Sequence, residues 1–178
     1  MTAELRRLTH DDLPRLLELN HAAVPAVNDI DEREMADLVD LARLAVGVVD
    51  PAHPQSLLGF VLALPPGMEY ESENYRWFSA RSNSFVYVDR IVVADGHRGD
   101  GLGAVLYDAV VADAAREGVA EVFCEVNLEP PNPGSLRFHG RLGFAEVGRQ
   151  STKGGSVVVA LLARAVSGGT APGVGGGA

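Results

Sequence analysis

Residues 92–104 read Val-Val-Ala-Asp-Gly-His-Arg-Gly-Asp-Gly-Leu-Gly-Ala. An apolar run precedes this stretch and a helical pattern follows it, which predicts a strand, a tight loop and a helix in succession. Gly99, Gly101 and Gly103 alternate along the loop, so the backbone can approach a ligand closely. The free N–H groups of the first helical turn, the helix dipole and the charge of Arg98 together favour a bound phosphate. The stretch therefore predicts a phosphate-binding loop.

Two other interpretations of this loop remain open. A glycine-rich turn can connect a strand to a helix without binding anything. The pattern Gly99-x-Gly101-x-x-Ala104 also fits the loose fingerprint of a dinucleotide-binding loop, with Glu125 at a suitable distance to hold a ribose. The chain after the loop is short for a dinucleotide-binding half, and the strands before it are expected to be antiparallel. Both features disfavour the dinucleotide interpretation.

The rest of the chain predicts a single domain over residues 1–166. Apolar alternation predicts strands at 3–8, 44–49, 57–64, 84–93, 119–126, 144–149 and 156–164. Helical periodicity and caps predict helices that begin near Thr9 and Asp31 and helices at 101–117 and 133–142. Residues 65–81 have no clean period, so we expect a long loop there. Residues 167–178 are rich in Gly, Ala and Pro and predict a disordered tail.

The composition narrows the classes of partner. The formal net charge is −9, which argues against nucleic acid or an anionic membrane as main partner, because both need a basic face. Cys124 is the one cysteine, so no disulfide forms within the chain. No Cys/His cluster has metal-ligand spacing, and no run approaches the roughly 18 apolar residues of a membrane span. Since the sequence begins without an apolar leader, we expect a cytoplasmic protein.

A second motif follows the glycine-rich loop. Residues 132–144 read Asn-Pro-Gly-Ser-Leu-Arg-Phe-His-Gly-Arg-Leu-Gly-Phe. Together with Arg-Gly-Asp-Gly-Leu-Gly at 98–103, this motif resembles the paired signatures of the GNAT (GCN5-related N-acetyltransferase) superfamily. The resemblance covers residues 3–164. It implies an α/β (α+β) fold with a mixed, mostly antiparallel sheet between helices, in which strands 4 and 5 splay apart.

The resemblance also implies where acetyl-CoA binds as co-substrate. The backbone of Ile91, Val92 and Val93 would pair with the pantetheine arm, and an N–H there would hold the thioester carbonyl. Asn132 and Ser135 would contact the pantetheine or the pyrophosphate. The pyrophosphate would lie on the backbone of the loop, which consists of Arg98, Gly99, Asp100, Gly101, Leu102, Gly103 and Ala104.

His139 departs from the common family pattern. Members often carry a tyrosine at this position, as proton donor to the leaving thiolate, whereas a histidine resembles the phosphinothricin-type enzymes that acetylate small amines. An imidazolium can donate a proton near neutral pH. His139 is therefore predicted to protonate the thiolate or to position it. The alternative is a helix residue that packs behind Phe144 or faces water.

Acyl transfer to an amine also needs a base, and two carboxylates are candidates. Asp89 lies on the clearest strand, where a period of two would place Tyr87, Asp89 and Ile91 on one face. A simpler explanation of Asp89 is an ion pair or a strand end that meets solvent. Glu125, on the neighbouring strand, ranks second because its face is expected to be partly exposed.

Aromatic residues crowd the segment at 65–81. We expect this segment to close over an acceptor pocket, because aromatics without a helix or strand period must be buried or bind a ligand. The predicted acceptor-binding residues are Tyr75, Trp77 and Phe78, together with Tyr87 on the next strand. Packing of these rings against the core is the alternative. The glutamates of the segment, suited to attract a cationic acceptor, are Glu69, Glu71 and Glu73.

These features predict an N-acetyltransferase that transfers the acetyl group of acetyl-CoA to the primary amine of a small molecule. The amine would attack the thioester directly, through a tetrahedral intermediate. The main alternative is a catalytically silent acyl-CoA-binding regulatory module of the same fold. No nucleic acid, membrane or metal is expected as partner, and the resemblance adds a homodimer as an expectation.

Overall fold

The computed structural model describes residues 3–166, which form strands and helices around one sheet. The predicted tail at 167–178 lies outside the described residues. The strands are β1 (Glu4–Arg7), β2 (Leu44–Asp50), β3 (His53–Leu64), β4 (Phe85–Val93), β5 (Glu121–Glu129), β6 (Ala145–Thr152) and β7 (Val157–Ala165). The helices are α1 (Leu13–Ala23), α2 (Glu32–Leu41), α3 (Glu73–Arg81), α4 (Leu102–Arg116) and α5 (Pro133–Arg141).

The sheet is mixed and mostly antiparallel, with the strand order β1-β2-β3-β4-β5-β7-β6. Within the described chain, β4 and β5 are the one parallel pair, and the other neighbours are antiparallel. Apolar residues of α1, α2 and α3 pack on one face of the sheet, and those of α4 and α5 pack on the other. This architecture confirms the predicted fold class.

The parallel pairing between β4 and β5 is short. It joins residues 85–87 to residues 121–123, although each strand is nine residues long. Beyond Tyr87 and Phe123 the two strands part, which confirms the predicted splay. Past this point the edge of β4 that faces β5 has backbone groups without a strand partner, and such groups need another hydrogen-bonding partner.

A β-bulge in β4 corrects the predicted arrangement of its faces. Arg90 pairs with Leu62 and Val88 pairs with Ala63, so Asp89 is an extra residue without an opposite partner on β3. Because a bulge shifts the alternation by one residue, Tyr87 packs with the α1–α3 side whereas Ile91 packs with the α4 side. The expectation that Tyr87, Asp89 and Ile91 share one face is therefore wrong.

The first two helices begin where the sequence predicts. At α2, Asp31 Oδ1 accepts the Glu34 N–H at 2.9 Å, and Glu34 Oε2 accepts the Asp31 N–H at 2.9 Å. At α1, the Thr9 N–H donates to Asp12 Oδ2 at 2.9 Å, and one 3-10 turn leads into the helix. Such reciprocal caps satisfy backbone groups that a helix start leaves free.

Part of the segment predicted as a loop, residues 65–81, is the helix α3. Ser72 caps it by accepting the Tyr75 N–H at 3.2 Å. Tyr75 and Phe78, three residues apart, face the core and are almost fully buried. Phe78 stacks on Phe123 with ring centroids 4.4 Å apart. The aromatics of this segment are therefore used in packing, and the helix went unpredicted because only two of its residues mark an inner face.

Trp77 packs on the neighbouring strand β6. A Cβ atom at Gly148 would lie 2.8 Å from the Trp77 ring, so the indole occupies the space that this glycine leaves. The ring also meets Phe78 edge-on, with centroids 5.3 Å apart. Trp77 thus joins α3 to β6.

We predict that Trp77→Ala lowers the free energy of unfolding by about 2–3 kcal/mol, because it removes a partly buried ring from this contact. The KM for the acceptor should not change. Urea unfolding and initial-rate kinetics measure the two quantities. Arg76→Ala, at an exposed position of the same helix, is the matched control and should unfold like the unaltered protein. A stable Trp77→Ala variant with altered acceptor KM would contradict the packing role.

Candidate functional site

A cavity of about 960 Å³ opens where β4 and β5 part. On one face of the sheet its walls come from residues 23–30, from α2 and from residues 69–74. On the other face its walls include Tyr107, Ser135 and His139. Residues of β4 and β5 lie between the two sets of walls, so the cavity passes through the gap in the sheet. We call the side with residues 23–30 and 69–74 the acceptor end.

Half of the twelve predicted cofactor-binding residues line this cavity. Its walls include Ile91, Val92, Val93, Arg98, Asn132 and Ser135. The loop residues Gly99, Asp100 and Gly101 follow directly on Arg98 and are exposed. Leu102 differs, because its side chain is buried in the core and only its backbone can reach a ligand.

The glycine-rich loop has the backbone geometry of an anion site. Gly99 and Gly101 have φ values of 95° and 82°, which favour glycine. A Cβ atom at either position would meet no protein atom within 4 Å, so the space beside the loop is empty. The N–H groups of Gly101, Leu102 and Gly103 find no acceptor within residues 3–166, as expected at a helix start. They are available to a phosphate.

Gly103 serves a different purpose from the other two glycines. A Cβ atom there would lie 2.9 Å from the Phe138 ring. The absence of a side chain thus lets α5 approach α4 closely. This contact brings the second motif against the first.

Asn132 begins α5, and its Oδ1 accepts the Ser135 N–H at 3.2 Å. This contact is an ordinary helix cap, so one function of the motif asparagine is structural.

His139 is buried, with 4% of its surface exposed, and both of its ring nitrogens are engaged. Nδ1 lies 2.8 Å from the Ser135 carbonyl oxygen. A carbonyl only accepts hydrogen bonds, so Nδ1 carries a proton, and in the neutral imidazole Nε2 is then an acceptor. Nε2 therefore accepts the hydrogen bond from the Tyr107 hydroxyl, which lies 2.8 Å away. Burial lowers the pKa of His139, so the imidazole is neutral at neutral pH.

Tyr107 is a cavity residue that the sequence analysis missed. It lies on the inner face of α4, where an aromatic is expected to be core, and its hydroxyl contacts His139. Burial raises the pKa of Tyr107 well above its ordinary value. The arrangement places a neutral hydroxyl, held by a neutral imidazole, on the α4 side of the gap.

Asp89 is engaged by neighbouring side chains. Its Oδ2 accepts the Arg90 Nε–H at 2.8 Å, and its Oδ1 accepts the Tyr70 hydroxyl. Arg90 also donates to Asn20 Oδ1 at 2.7 Å, which anchors the pair to α1. Both oxygens of Asp89 are thus occupied, as the ion-pair interpretation expects. This geometry disfavours Asp89 as the base.

Glu125 has a different environment in the same cavity. Its Oε1 accepts the Tyr87 hydroxyl at 2.9 Å, whereas its enclosed Oε2 has no hydrogen-bond partner within residues 3–166. Burial, and then the negative charge of Asp89, raise the pKa of Glu125 to about 8. A carboxylate that titrates near neutral pH can both take up and release a proton. The geometry therefore ranks Glu125 above Asp89, the reverse of the sequence-based order.

The predicted acceptor-binding aromatics separate into two groups. Tyr87 lines the cavity, but Tyr75, Trp77 and Phe78 do not. This corrects the expectation for α3, because its rings face the core and β6 instead. From the same segment, Tyr70 and Asn74 reach the cavity wall.

The described residues give no sign of a membrane span or a metal centre. No helix within residues 3–166 is both long and apolar enough to cross a bilayer. In the same range, no three His, Cys, Asp or Glu side chains are grouped to hold a metal ion.

Comparison with known proteins finds one matching family. The profile of the Acetyltransferase (GNAT) family matches residues 13–144. No curated protein matches the sequence.

Solved structures share the fold over nearly the whole chain. The ribosomal-protein-S18-alanine N-acetyltransferase from Escherichia coli is 16% identical, with a TM-score of 0.71 over 99% of this chain and 100% of that one. Arabidopsis thaliana NAA60 in complex with acetyl-CoA is 21% identical, with a TM-score of 0.73 over 93% and 100%. The IAA acetyltransferase from Bacillus cereus is 18% identical, with a TM-score of 0.64 over 92% and 99%. At these identities, the likeness concerns the fold.

The raised pKa of Glu125 predicts a pH-dependent stability. Between pH 4.5 and about 8, Glu125 is protonated in the folded protein and ionised in the unfolded chain, so unfolding releases a proton. Its contribution to the free energy of unfolding is fully present below that range and is lost as the pH rises through about 8. Glu125→Gln should remove this loss, which we expect to be on the order of 5 kcal/mol.

Urea unfolding at a series of pH values measures the difference between the two proteins. Glu121→Gln, on the same strand but outside the cavity, is the control and should keep the slope of the unaltered protein. If the free energy of unfolding depends on pH in the same way in Glu125→Gln and in the unaltered protein, Glu125 has an ordinary pKa.

Proposed function

The chain belongs to the Acetyltransferase (GNAT) family, and from this membership we propose that it transfers the acetyl group of acetyl-CoA to the primary amine of a small molecule. The family match confirms the resemblance of residues 98–103 and 132–144. The observation that supports the proposal is the continuous cavity, which has Arg98 of the predicted phosphate-binding loop in its wall and the Glu125 carboxylate where the strands part. A cytoplasmic location and a homodimer remain predictions from the sequence.

The strand gap supports the proposed position of acetyl-CoA. Past Tyr87, one edge of β4 has no strand partner, so its backbone is free to pair with the amides of a pantetheine arm. Ile91–Val93 lie in that part of β4 and line the cavity. In this proposal the pyrophosphate lies on the free N–H groups at the start of α4, and the arm leads the thioester to the gap.

Glu125 is the proposed base, acting directly or through one water. It takes a proton from the acceptor nitrogen as the C–N bond forms, and the thioester carbonyl becomes an oxyanion. A free N–H of β4 would stabilise that oxyanion. When the tetrahedral intermediate collapses, the C–S bond breaks and the sulfur takes a proton.

Tyr107 is the proposed proton donor to the sulfur, and His139 is the positioning residue. The prediction for His139 allowed donation or positioning. Its Nδ1 proton is held by the Ser135 carbonyl and its Nε2 carries none, which supports positioning. The Tyr107 hydroxyl is the neighbouring group with a transferable proton. The proton on Glu125 leaves to solvent, and solvent reprotonates Tyr107, so the cycle balances.

Side-chain hydrogen bonds that bridge the acceptor end support a small acceptor. Lys153 Nζ donates to Asn28 Oδ1 at 2.6 Å, which joins the β6–β7 turn to the segment between α1 and α2. Gln150 Nε2 donates to Asn74 Oδ1 at 2.9 Å, which joins β6 to α3. Asn127 Nδ2 donates to the Pro25 carbonyl oxygen at 2.8 Å. A cavity bridged in this way suits a compact molecule better than a chain that runs through it.

Release of free thiol from acetyl-CoA, measured with a panel of primary amines, tests the proposed function. Amine-dependent release would support it. Binding of acetyl-CoA without release by any amine would instead identify a silent acyl-CoA-binding module.

Gly101→Val should weaken acetyl-CoA binding at least tenfold, on the order of 1.4 kcal/mol, because the new side chain enters the empty space beside the loop. Gly67→Val is the matched control, since Gly67 has a similar φ of 80° and equally empty surroundings but lies outside the glycine-rich loop, between β3 and α3. Both variants should lose a similar stability, about 1–2 kcal/mol. Calorimetry measures binding. Equal affinities in the two folded variants would contradict the loop assignment.

Tyr107→Phe should lower kcat by about a hundredfold with little change in the affinity for acetyl-CoA, because it removes only the donating hydroxyl. His139→Phe should lower kcat less, since Tyr107 remains but is no longer held. Steady-state kinetics and calorimetry measure both effects. A large loss in His139→Phe with kcat within about twofold of normal in Tyr107→Phe would make His139 the donor.

A further inference from the structure

The acceptor end of the cavity is lined by carboxylates from three separate segments. They come from the connection between α1 and α2, from α2 itself, and from the segment that leads into α3. The carboxylates are those of Asp29, Glu34, Asp37, Glu69, Glu71 and Glu73. Because residues 29–37 and residues 69–73 are far apart in sequence, the fold gathers their charges around one opening.

Positively charged side chains do not neutralise the carboxylates at the acceptor end. Within residues 3–166, the Lys and Arg side chains that line the cavity are Arg90, Arg98 and Lys153. Arg90 is paired with Asp89 at 2.8 Å, and Arg98, in the phosphate loop, is paired with Asp95 at 2.8 Å. Lys153 is the cation left at the acceptor end, and its ammonium donates to the neutral side chain of Asn28.

Some of the wall carboxylates already have local partners. Asp29 lies 2.7 Å from His21, and Asp37 lies 4.0 Å from Arg33. Glu34 and Glu73 accept backbone N–H groups. Glu69 and Glu71 are exposed and have no hydrogen-bond or ion-pair partner among residues 3–166. These two are therefore available to an incoming cation.

A second, independent observation points to a nitrogen ligand deeper in the same cavity. Glu125 Oε2 is enclosed and makes no hydrogen bond within residues 3–166, although the Asn74 side chain is close enough to lower the pKa of Glu125 against the effect of burial. Buried polar atoms almost always have a hydrogen-bond partner, so this oxygen marks a place for a ligand amine. An amine N–H can donate to the ionised carboxylate, and the nitrogen lone pair of a neutral amine can accept from the protonated carboxyl. Glu125 thus offers an inner position for an amine, and Glu69 with Glu71 offers an outer one.

We propose that the acceptor is a diamine or a similar small molecule with two cationic groups, one acetylated beside Glu125 and the other held by Glu69 and Glu71. This inference rests on the proposed function and names its substrate class. The inner ammonium first loses a proton to solvent, and acetylation then replaces one N–H bond of the neutral amine by a C–N bond and leaves a neutral amide. The product thus has one positive charge fewer than the substrate and binds this wall more weakly, which favours its release.

The test uses three series of acceptors that differ only in the group at the far end. These are α,ω-diamines, n-alkylamines and ω-amino acids, each from the propyl to the octyl chain. For the best chain length, we expect kcat/KM to be at least about tenfold higher for the diamine than for the alkylamine. The amino acid should be poorest, because its far end is negative. Added salt should reduce the advantage of the diamine, because it screens exposed charges.

Charge-neutralising variants locate the effect. Glu69→Gln/Glu71→Gln should remove most of the preference for the diamine, because the kcat/KM of the diamine should fall much further than that of the singly charged alkylamine. The matched control is Glu4→Gln/Asp108→Asn, which removes two exposed carboxylates that do not line the cavity. This control changes the net charge by the same amount. It should keep the full preference for the diamine, because its two carboxylates lie outside the cavity.

The outcomes separate this inference from the proposed function. Equal kcat/KM for diamines and alkylamines, or a preference that survives Glu69→Gln/Glu71→Gln, would overturn the inference while acetyl transfer stands. If no amine releases thiol from acetyl-CoA, the proposed function fails. Calorimetric binding of the same diamines and alkylamines then decides the inference, and equal affinities would overturn it.

Discussion

The short parallel pairing of β4 with β5 is the constraint on which the site depends. The two strands share three residue pairs and then separate, so the sheet has a gap in its middle. One wall of that gap is an unpaired strand edge, and unpaired backbone groups must find a partner. The bulge at Asp89 acts at the same place, because it turns the following residues to the opposite face. Together these features make a passage between the two faces.

The electrostatics of the passage depend on two carboxylates, Asp89 and Glu125, which differ in their number of hydrogen-bond partners. Asp89 has Arg90 and Tyr70, whereas Glu125 has Tyr87 on one oxygen and nothing on the other. The satisfied carboxylate stays near the unsatisfied one and opposes its ionisation. Burying a carboxylate with an unpaired oxygen lowers the stability of the folded protein. Carboxylates with a pKa raised in this way are found at sites where a proton is transferred. Across the gap, Tyr107 and His139 form a neutral pair, so base and acid remain separate.

Much of the fold could be predicted from local patterns, and much of the site could not. The strands, the glycine loop and α4 depend on periodicity and on turn residues within one segment. The helix α3 was missed because Tyr75 and Phe78 are its only deeply buried side chains. The face of Ile91 depends on a bulge that no spacing reveals. The pairing of Tyr107 with His139 requires α4 and α5 to pack together.

A direct measurement of the Glu125 pKa tests the central claim, which is that the strand gap holds a carboxylate poised near neutral pH. Carbon-13 NMR of the glutamate side-chain carboxyl, titrated with pH and assigned with Glu125→Gln, gives this value. We predict a midpoint near 8, and a lower midpoint in Asp89→Asn because that change removes a nearby negative charge. A midpoint near the ordinary value of 4.5 would contradict the account.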